Sequence, residues 1–589
     1  GEIEPSGIGV FSLAGSSGIS VAATALEDAA HHIIPVENIR LYHVTEHLRR
    51  LDLYWAIAGY DLHPDQMEPV STFDVAAGGS VYLYAKVVVP ADAPGGNYAG
   101  FIDFKKGDQV LYRLSLQVRV IPTRLDMSEH INTIYSDPYG KVFSNDTNEV
   151  FRIFRETGLE PFFTSSLGFK PVYDANHTMA DVDLSLVAKK MDRFKKEGII
   201  PRVMFLETGS FWEGLYASLF GGVYPMSAAP LDLYNKLEDP VFKSMYTLAI
   251  HKLLDLARQY NVELYFEAYD EPGKDPLRRI AADRLYTLIK AAGGKTTVTY
   301  YTGCDEPVPA LNFVYPGGII PPLTPLIDMK VWELASSGTK GYEQHNPLYS
   351  YYTTQYSFMP HPAVNRFLHG LFPFRTDANN VSCYAFGDID LDPYNDFDVS
   401  PYIKFPKNNV DFILAYPTLQ GTMIESLSLE GIREGIKDAK YIATLKRLIR
   451  ENPGEEADAA SAYLQALKAR IPYSFYETYV ATRKPYGFYE SLVRDVSDKA
   501  DPGDYEAFTR VRGQIIGHIE ALLKVHAGGL TGDVSGDGRV TMYDAALVLK
   551  YTVGGLLTSV QQVQADMNSD TNIDAADAMA IARKAMGVN

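Results

Sequence analysis

A chain of 589 residues is longer than one hydrophobic core supports, so about three or four domains are expected. Apolar residues make up 46% and charged residues 22%, and a formal net charge of −19 excludes nucleic acid and other polyanions, which need clustered Lys and Arg. No run approaches the roughly 18 apolar residues of a membrane-spanning helix, and no basic-then-apolar leader precedes Gly1, as expected of a mature or trimmed chain.

The first elements are short strands. Residues 81–90, 101–104 and 112–120 are apolar or alternating, with Pro and Gly turn chemistry at 91–100, which predicts a β-sandwich over 1–125. The rhythm then changes. Strand candidates at 132–136, 161–165, 199–207, 262–269, 296–302, 328–334, 348–355 and 381–386 are interleaved with helical patterns at 148–157, 184–197, 240–260 and 277–292. Eight strands, many separated by helices, predict a (β/α)8 barrel over 126–425. Helical spacing at 429–450, 457–469 and 505–525 predicts a helical appendage over 426–528, and Ala527-Gly528-Gly529 is a linker to a last unit at 529–589. Cys304 and Cys383 define neither a disulfide framework nor a metal spacing and are expected as buried small residues.

The last unit carries a duplicated loop. Residues 533–544 (DVSGDGRVTMYD) place oxygen donors Asp533, Ser535, Asp537 and Asp544 at positions one, three, five and twelve, with the carbonyl of Arg539 at seven and Gly538 at the turn. Residues 566–577 (DMNSDTNIDAAD) repeat it with Asp566, Asn568, Asp570, the carbonyl of Asn572, and Asp577; Thr571 replaces the turn glycine. Hard oxygen donors around a tight turn are what Ca²⁺ requires, and each loop leads into a helix, at 545–551 and 578–585. The duplication resembles a type I dockerin, a small α-helical EF-hand-like module. That resemblance implies two Ca²⁺ ions, docking onto a cohesin domain through Met542 and Tyr543 or Ala575 and Ala576, and a secreted, extracellular protein.

Chemistry is expected at Asp270 and Glu271. Residues 262–272 (VELYFEAYDEP) form an apolar strand ending in two adjacent carboxylates and Pro272, at the barrel end where active sites lie. Neighbouring carboxylates do not both ionise cheaply, so one pKa rises and that group serves as a general acid. A carboxylate nucleophile at the end of strand seven is missing, because Glu343 and Asp377 are both misplaced. That shortage favours attack by a substrate's own 2-acetamido oxygen, with no cofactor for catalysis. The second Asp-Glu-Pro, at 305–307, is a weaker competitor. Abundant Tyr and Phe permit sugar stacking; Glu333 and Tyr301 are expected to touch substrate, as are Trp212 and Trp332, each of which equally reads as a buried core tryptophan. Tyr300 shares that claim, while Glu207 and Glu267 line the pocket or end ion pairs.

Three segments resemble family 123 glycoside hydrolases: 87–100 (VVVPADAPGGNYAG), 269–272 (YDEP), and 416–441 with its Arg433, Gly435, Ile436 and Asp438 core. The resemblance implies a β-N-acetylgalactosaminidase-like enzyme, with Glu271 as acid/base and Asp270 holding the acetamido N–H. The chain has Phe and Tyr at 371–386 where many members carry Trp, which leaves the sugar open. The alternatives are a non-catalytic glycan-binding subunit and a hydrolase of other glycosides using a nucleophile such as Glu333.

Overall fold

The computed structural model describes residues 2–53, 56–135, 147–161, 170–176, 178–222, 224–299, 303–309, 315, 318–333, 349–353, 362–384, 386–388, 394, 412–471, 506–527, 531–535, 540–555, 557, 559–568, 570 and 572–587.

The N-terminal part is sheet-rich. Ile3–Ser12, Gly79–Val88, Ile39–Leu53 and Ala56–Pro69 lie side by side in one antiparallel sheet. A second sheet orders Ile33–Ile34, Leu26–Glu27, Gly96–Lys106, Ser16–Ala23 and Thr72–Val75, with Gln109–Val120 along Gly96–Lys106. Ile19, Val21, Phe73, Leu83, Ala85, Val87, Ile102 and Phe104 form the core between them. The strand Gly79–Val88 buries both faces: Leu83, Ala85 and Val87 point into that core, so Lys86 points the other way, where it is also buried. Within the expected sandwich the sequence pattern singles out no strand before residue 81; Ile3–Ser12 is one it passes over, an edge strand with Pro and Gly where alternation is weak.

The middle of the chain is a nearly closed parallel barrel. In sheet order the strands are Glu160–Pro161, Ile131–Tyr135, Asn380–Tyr384, Tyr349–Thr353, Met329–Glu333, Lys295–Val298, Glu263–Glu267 and Val203–Glu207. The first and last strands in chain order, Ile131–Tyr135 and Asn380–Tyr384, pair in register, Ile131 opposite Asn380. Among the described residues no ladder joins Glu160–Pro161 to Val203–Glu207; instead Glu160 accepts Arg202 N–H at 2.6 Å and Nε–H at 2.8 Å, bridging the seam. Ile131, Val203, Phe205, Tyr265, Met329 and Val331 fill the interior, while the alternate residues Met204, Leu206, Leu264 and Phe266 join the helices in the outer core. Asp239 and Asp275 cap the helices Pro240–Tyr260 and Pro276–Ala291, each with Pro next, where a missing N–H costs nothing.

Two boundaries differ from the sequence expectation. Ala415–Pro417 and Met423–Ser426, counted with the barrel, add two strands to the N-terminal sheet. The helix Leu427–Glu451, counted as appendage, packs on Thr147–Thr157 and Pro362–His369, where the last helix of a barrel belongs. Its glycines explain the close fit: a Cβ at Gly431 would stand 2.1 Å from the Pro362 carbonyl oxygen, and one at Gly435 2.4 Å from that of Arg366. The helix also holds the joint between sheet and barrel. Arg433 pairs with Glu430 and, at 2.8 Å, with Glu425; Lys86 reaches both acids at 2.6 and 2.8 Å; Asp438 binds Arg366 and Arg512, each at 2.6 Å. The Arg-Gly-Ile-Asp core is thus a packing and ion-pairing device. Cys304 and Cys383 are buried, as expected.

In the C-terminal unit, Val534, Ala545, Val548, Leu557, Ala565, Ala578 and Ile581 pack the helices Met542–Thr552, Ser559–Ala565 and Ala575–Ala585 together. The first and third begin three residues earlier than their spacing predicts. Capping boxes at Thr541/Asp544 and Asp574/Asp577 start them there.

Candidate active site and cation loops

The fourth barrel strand, Glu263–Glu267, delivers Ala268, Tyr269, Asp270 and Glu271 to its carboxyl end. Asp270 and Glu271 are open to solvent there. Glu271 has φ 45°, a left-handed backbone that costs a residue other than glycine about 1–3 kcal/mol. The strain persists because neighbours hold the loop. Arg279, 0% exposed, donates to the carbonyls of Gly273 (3.1 Å), Gly303 (3.0 Å), Glu306 (3.2 Å) and Pro321 (2.8 Å), and Arg278 Nη1 reaches the Glu271 carbonyl at 3.4 Å.

The electrostatics of the rim are unbalanced. Loss of water around its carboxylate, then the charges of Glu271 and Glu207, push Asp270 up to about 7 against the pull of Arg278. Protein crowds the carboxylate even though the residue meets solvent. Glu267 is 2% exposed, accepts Thr299 N–H at 2.5 Å, and is held well above the carboxylate range by burial and then by Asp270. Glu213, bonded to Tyr224, is raised by burial and then by Glu207. Asp270 is thus held up, while the family resemblance gave the acid role to Glu271.

The other expected residues scatter. Trp212 is 0% exposed and packs behind Tyr269, with ring centroids 6.2 Å apart. A sealed indole offers no face to a sugar, so its expected contact is corrected to a supporting one. Trp332 and Glu333 close the strand Met329–Glu333, with side chains outside the described residues, as Tyr300 and Tyr301 are altogether. In the competing tripeptide, Glu306 is exposed and paired with Lys274 at 2.6 Å. Two cavities, of about 230 and 540 Å³, lie away from the rim, against the N-terminal sheet. Sequence spacing missed Arg279: an Arg-Arg pair at a helix start gives no sign that one will be buried.

Both C-terminal loops present oxygen donors. Asp544 takes Ser535 N–H at 2.6 Å and Thr541 N–H at 2.8 Å; Asp533 and Asp544 are 4% and 0% exposed. In the second loop, Asp570 N–H donates to Asp566 (3.1 Å) and Asn568 (3.0 Å), Asn572 N–H to Asp570 (2.8 Å), and Met567 N–H to Asp577 (2.8 Å). Asp537 and Arg539 lie outside the described residues. Among those described, no three His, Cys, Asp or Glu side chains converge as metal ligands. The all-oxygen donor set fits Ca²⁺, and binding would draw the loop closed around the ion.

Residues 531–584 match the family model of the dockerin type I domain. No curated protein matches the chain by sequence. Among solved structures, a family 123 glycoside hydrolase from Clostridium perfringens superposes with TM-score 0.60 at 11% identity, over 89% of this chain and 93% of that one. A family 39 glycoside hydrolase from Bacteroides cellulosilyticus gives TM-score 0.32 at 14% identity, over 71% and 81%; a β-glucuronidase from Ruminococcus gnavus gives 0.28 at 9%, over 74% and 68%. The chain thus ends in a segment matching type I dockerins, and its fold is similar to that of a family 123 glycoside hydrolase.

Proposed function

We propose that the chain is a glycoside hydrolase for β-linked 2-acetamido sugars of the N-acetylgalactosamine type, anchored to a cohesin through two Ca²⁺ loops and exported to work outside the cell. The observation that carries this reading is the Asp270-Glu271 pair at the mouth of a barrel similar to the family 123 structure. Glu271 protonates the glycosidic oxygen while the acetamido carbonyl oxygen of the substrate attacks the anomeric carbon. Asp270 accepts the acetamido N–H and stabilises the cationic ring that forms. Water then opens that ring, Glu271 takes the proton, and two inversions give net retention. No carboxylate nucleophile is needed. For docking, Met542 and Tyr543 are 56% and 64% exposed, an apolar pair that Ala575 and Ala576 of the second repeat do not reproduce.

The raised state of Asp270 also favours a swap, with Asp270 as the acid and Glu271 as the acceptor. The pH profile decides between them. With Asp270 as acceptor, activity rises as pH climbs through about 7; with Asp270 as acid, it falls over the same range. The reaction itself is tested with aryl N-acetyl-β-hexosaminides. Wild type releases the aryl group, and Glu271→Gln slows release by about 10²–10⁴-fold. Equally slow release by both leaves only the glycan-binding alternative.

A further inference from the structure

Register sets two more acids side by side below the rim. Glu207 and Glu267 end the third and fourth barrel strands as direct Cα partners. Val203 and Phe205 on one strand and Tyr265 on the other fill the interior, so alternation turns Glu207 and Glu267 onto that same face. Parallel neighbours stand about 5 Å apart, too close for two charges withdrawn from water.

Their surroundings are unequal. Glu267 is 2% exposed, with Oε1 taken up by Thr299 N–H. Glu207 Oε1 lies over the start of the helix Gly209–Phe220, where a Cβ on Gly209 would stand 2.8 Å away. The positive end of a helix favours a carboxylate, and a sealed position favours a neutral acid.

Building on the hydrolase reading above, we propose that Glu207 and Glu267 act as one carboxyl pair sharing a single proton, which Glu267 holds while Glu207 carries the charge, and that the pair sets the ionisation of Asp270. Both are positioning residues, acting through Asp270. Among the described residues, the other ionisable groups around them include Glu271, Arg278, Glu213 on the helix Gly209–Phe220, and Tyr286 on the helix Pro276–Ala291. The charge of Glu207 opposes ionisation of both Glu267 and Asp270, and Arg278 favours that of Asp270.

The test is the pH profile of kcat/KM for the full chain on an aryl N-acetyl-β-hexosaminide, reading the limb near pH 7. Glu207→Gln deletes the charge, so that limb moves to lower pH by about one unit. The amide of Glu267→Gln mimics the protonated acid, so the limb stays in place whatever happens to the plateau rate. A limb that moves in Glu267→Gln, or stays in Glu207→Gln, overturns the pair.

A wild type that hydrolyses nothing sinks the hydrolase reading instead, and thermal unfolding then reads the pair on its own. An acid whose folded-state pKa is raised binds its proton where the unfolded chain has lost it, so stability declines as pH rises through that window. The Tm gain of Glu267→Gln over wild type therefore grows from about pH 5 to about pH 8. An equal gain at both ends rejects the shared proton.

Discussion

A left-handed glutamate beside an aspartate whose pKa is pushed up is a costly arrangement, and Arg279 holds the loop that carries it. Four carbonyls from three segments converge on its guanidinium, which no other side chain could reach with one rigid fork. Arg279→Met leaves those oxygens without their donor and lets the loop at 271–274 relax. Stability should fall by at least about 3 kcal/mol, and turnover by roughly 10²-fold, since a displacement of about 1 Å is enough for that. Urea unfolding and steady-state kinetics check the two effects, and Arg279→Lys should recover little of either. Wild-type behaviour in both measurements would mean the loop is held by something else.

At the scale of elements, the helix Leu427–Glu451 decides how sheet and barrel meet. It is buried along nearly its whole length, and at Gly431 the chain of Pro362 comes within reach of where a side chain would begin. Gly431→Ala should therefore destabilise by about 1–3 kcal/mol, even though alanine favours helix. Gly513 in the helix Ala507–Ala527 has nothing within 4 Å of its missing Cβ, and there the same substitution should stabilise by roughly 0.5–1 kcal/mol. Thermal unfolding of the two variants should shift in opposite directions. Shifts of one sign would show that helix propensity, not backbone approach, controls these positions.

At the scale of the molecule, two kinds of stability coexist. The joint between N-terminal sheet and barrel is a buried charge network in which Lys86 and Arg433 each pair with both Glu425 and Glu430. Removing any one member strands a buried charge, a loss of the order of 3–5 kcal/mol. The C-terminal unit has a core of only a few Ala, Val, Leu and Ile side chains, so on the calcium reading proposed above its fold depends on bound ions. Chelating Ca²⁺ should unfold residues 531–587 as seen by hydrogen exchange, abolish cohesin binding, and leave aryl glycoside hydrolysis unchanged. Loss of hydrolysis on chelation would tie the catalytic part to the tail.

Local signals made much of this molecule legible. All eight barrel strands lie at or within a few residues of their apolar runs, because a strand buried on both faces writes its apolar character into contiguous sequence. The duplicated Asp-rich loops are local too: their oxygen-bearing side chains lie within twelve consecutive residues, so spacing alone defines the pattern. Other features depend on residues far apart in the chain. That Ala415–Pro417 and Met423–Ser426 belong to the N-terminal sheet, that Trp212 is sealed behind Tyr269, that Arg279 gathers loops from 273 to 321, and that Glu207 meets Glu267 are all contacts set by register and closure. Sequence periodicity fixes which face a side chain takes, but only the closed barrel decides what stands opposite it.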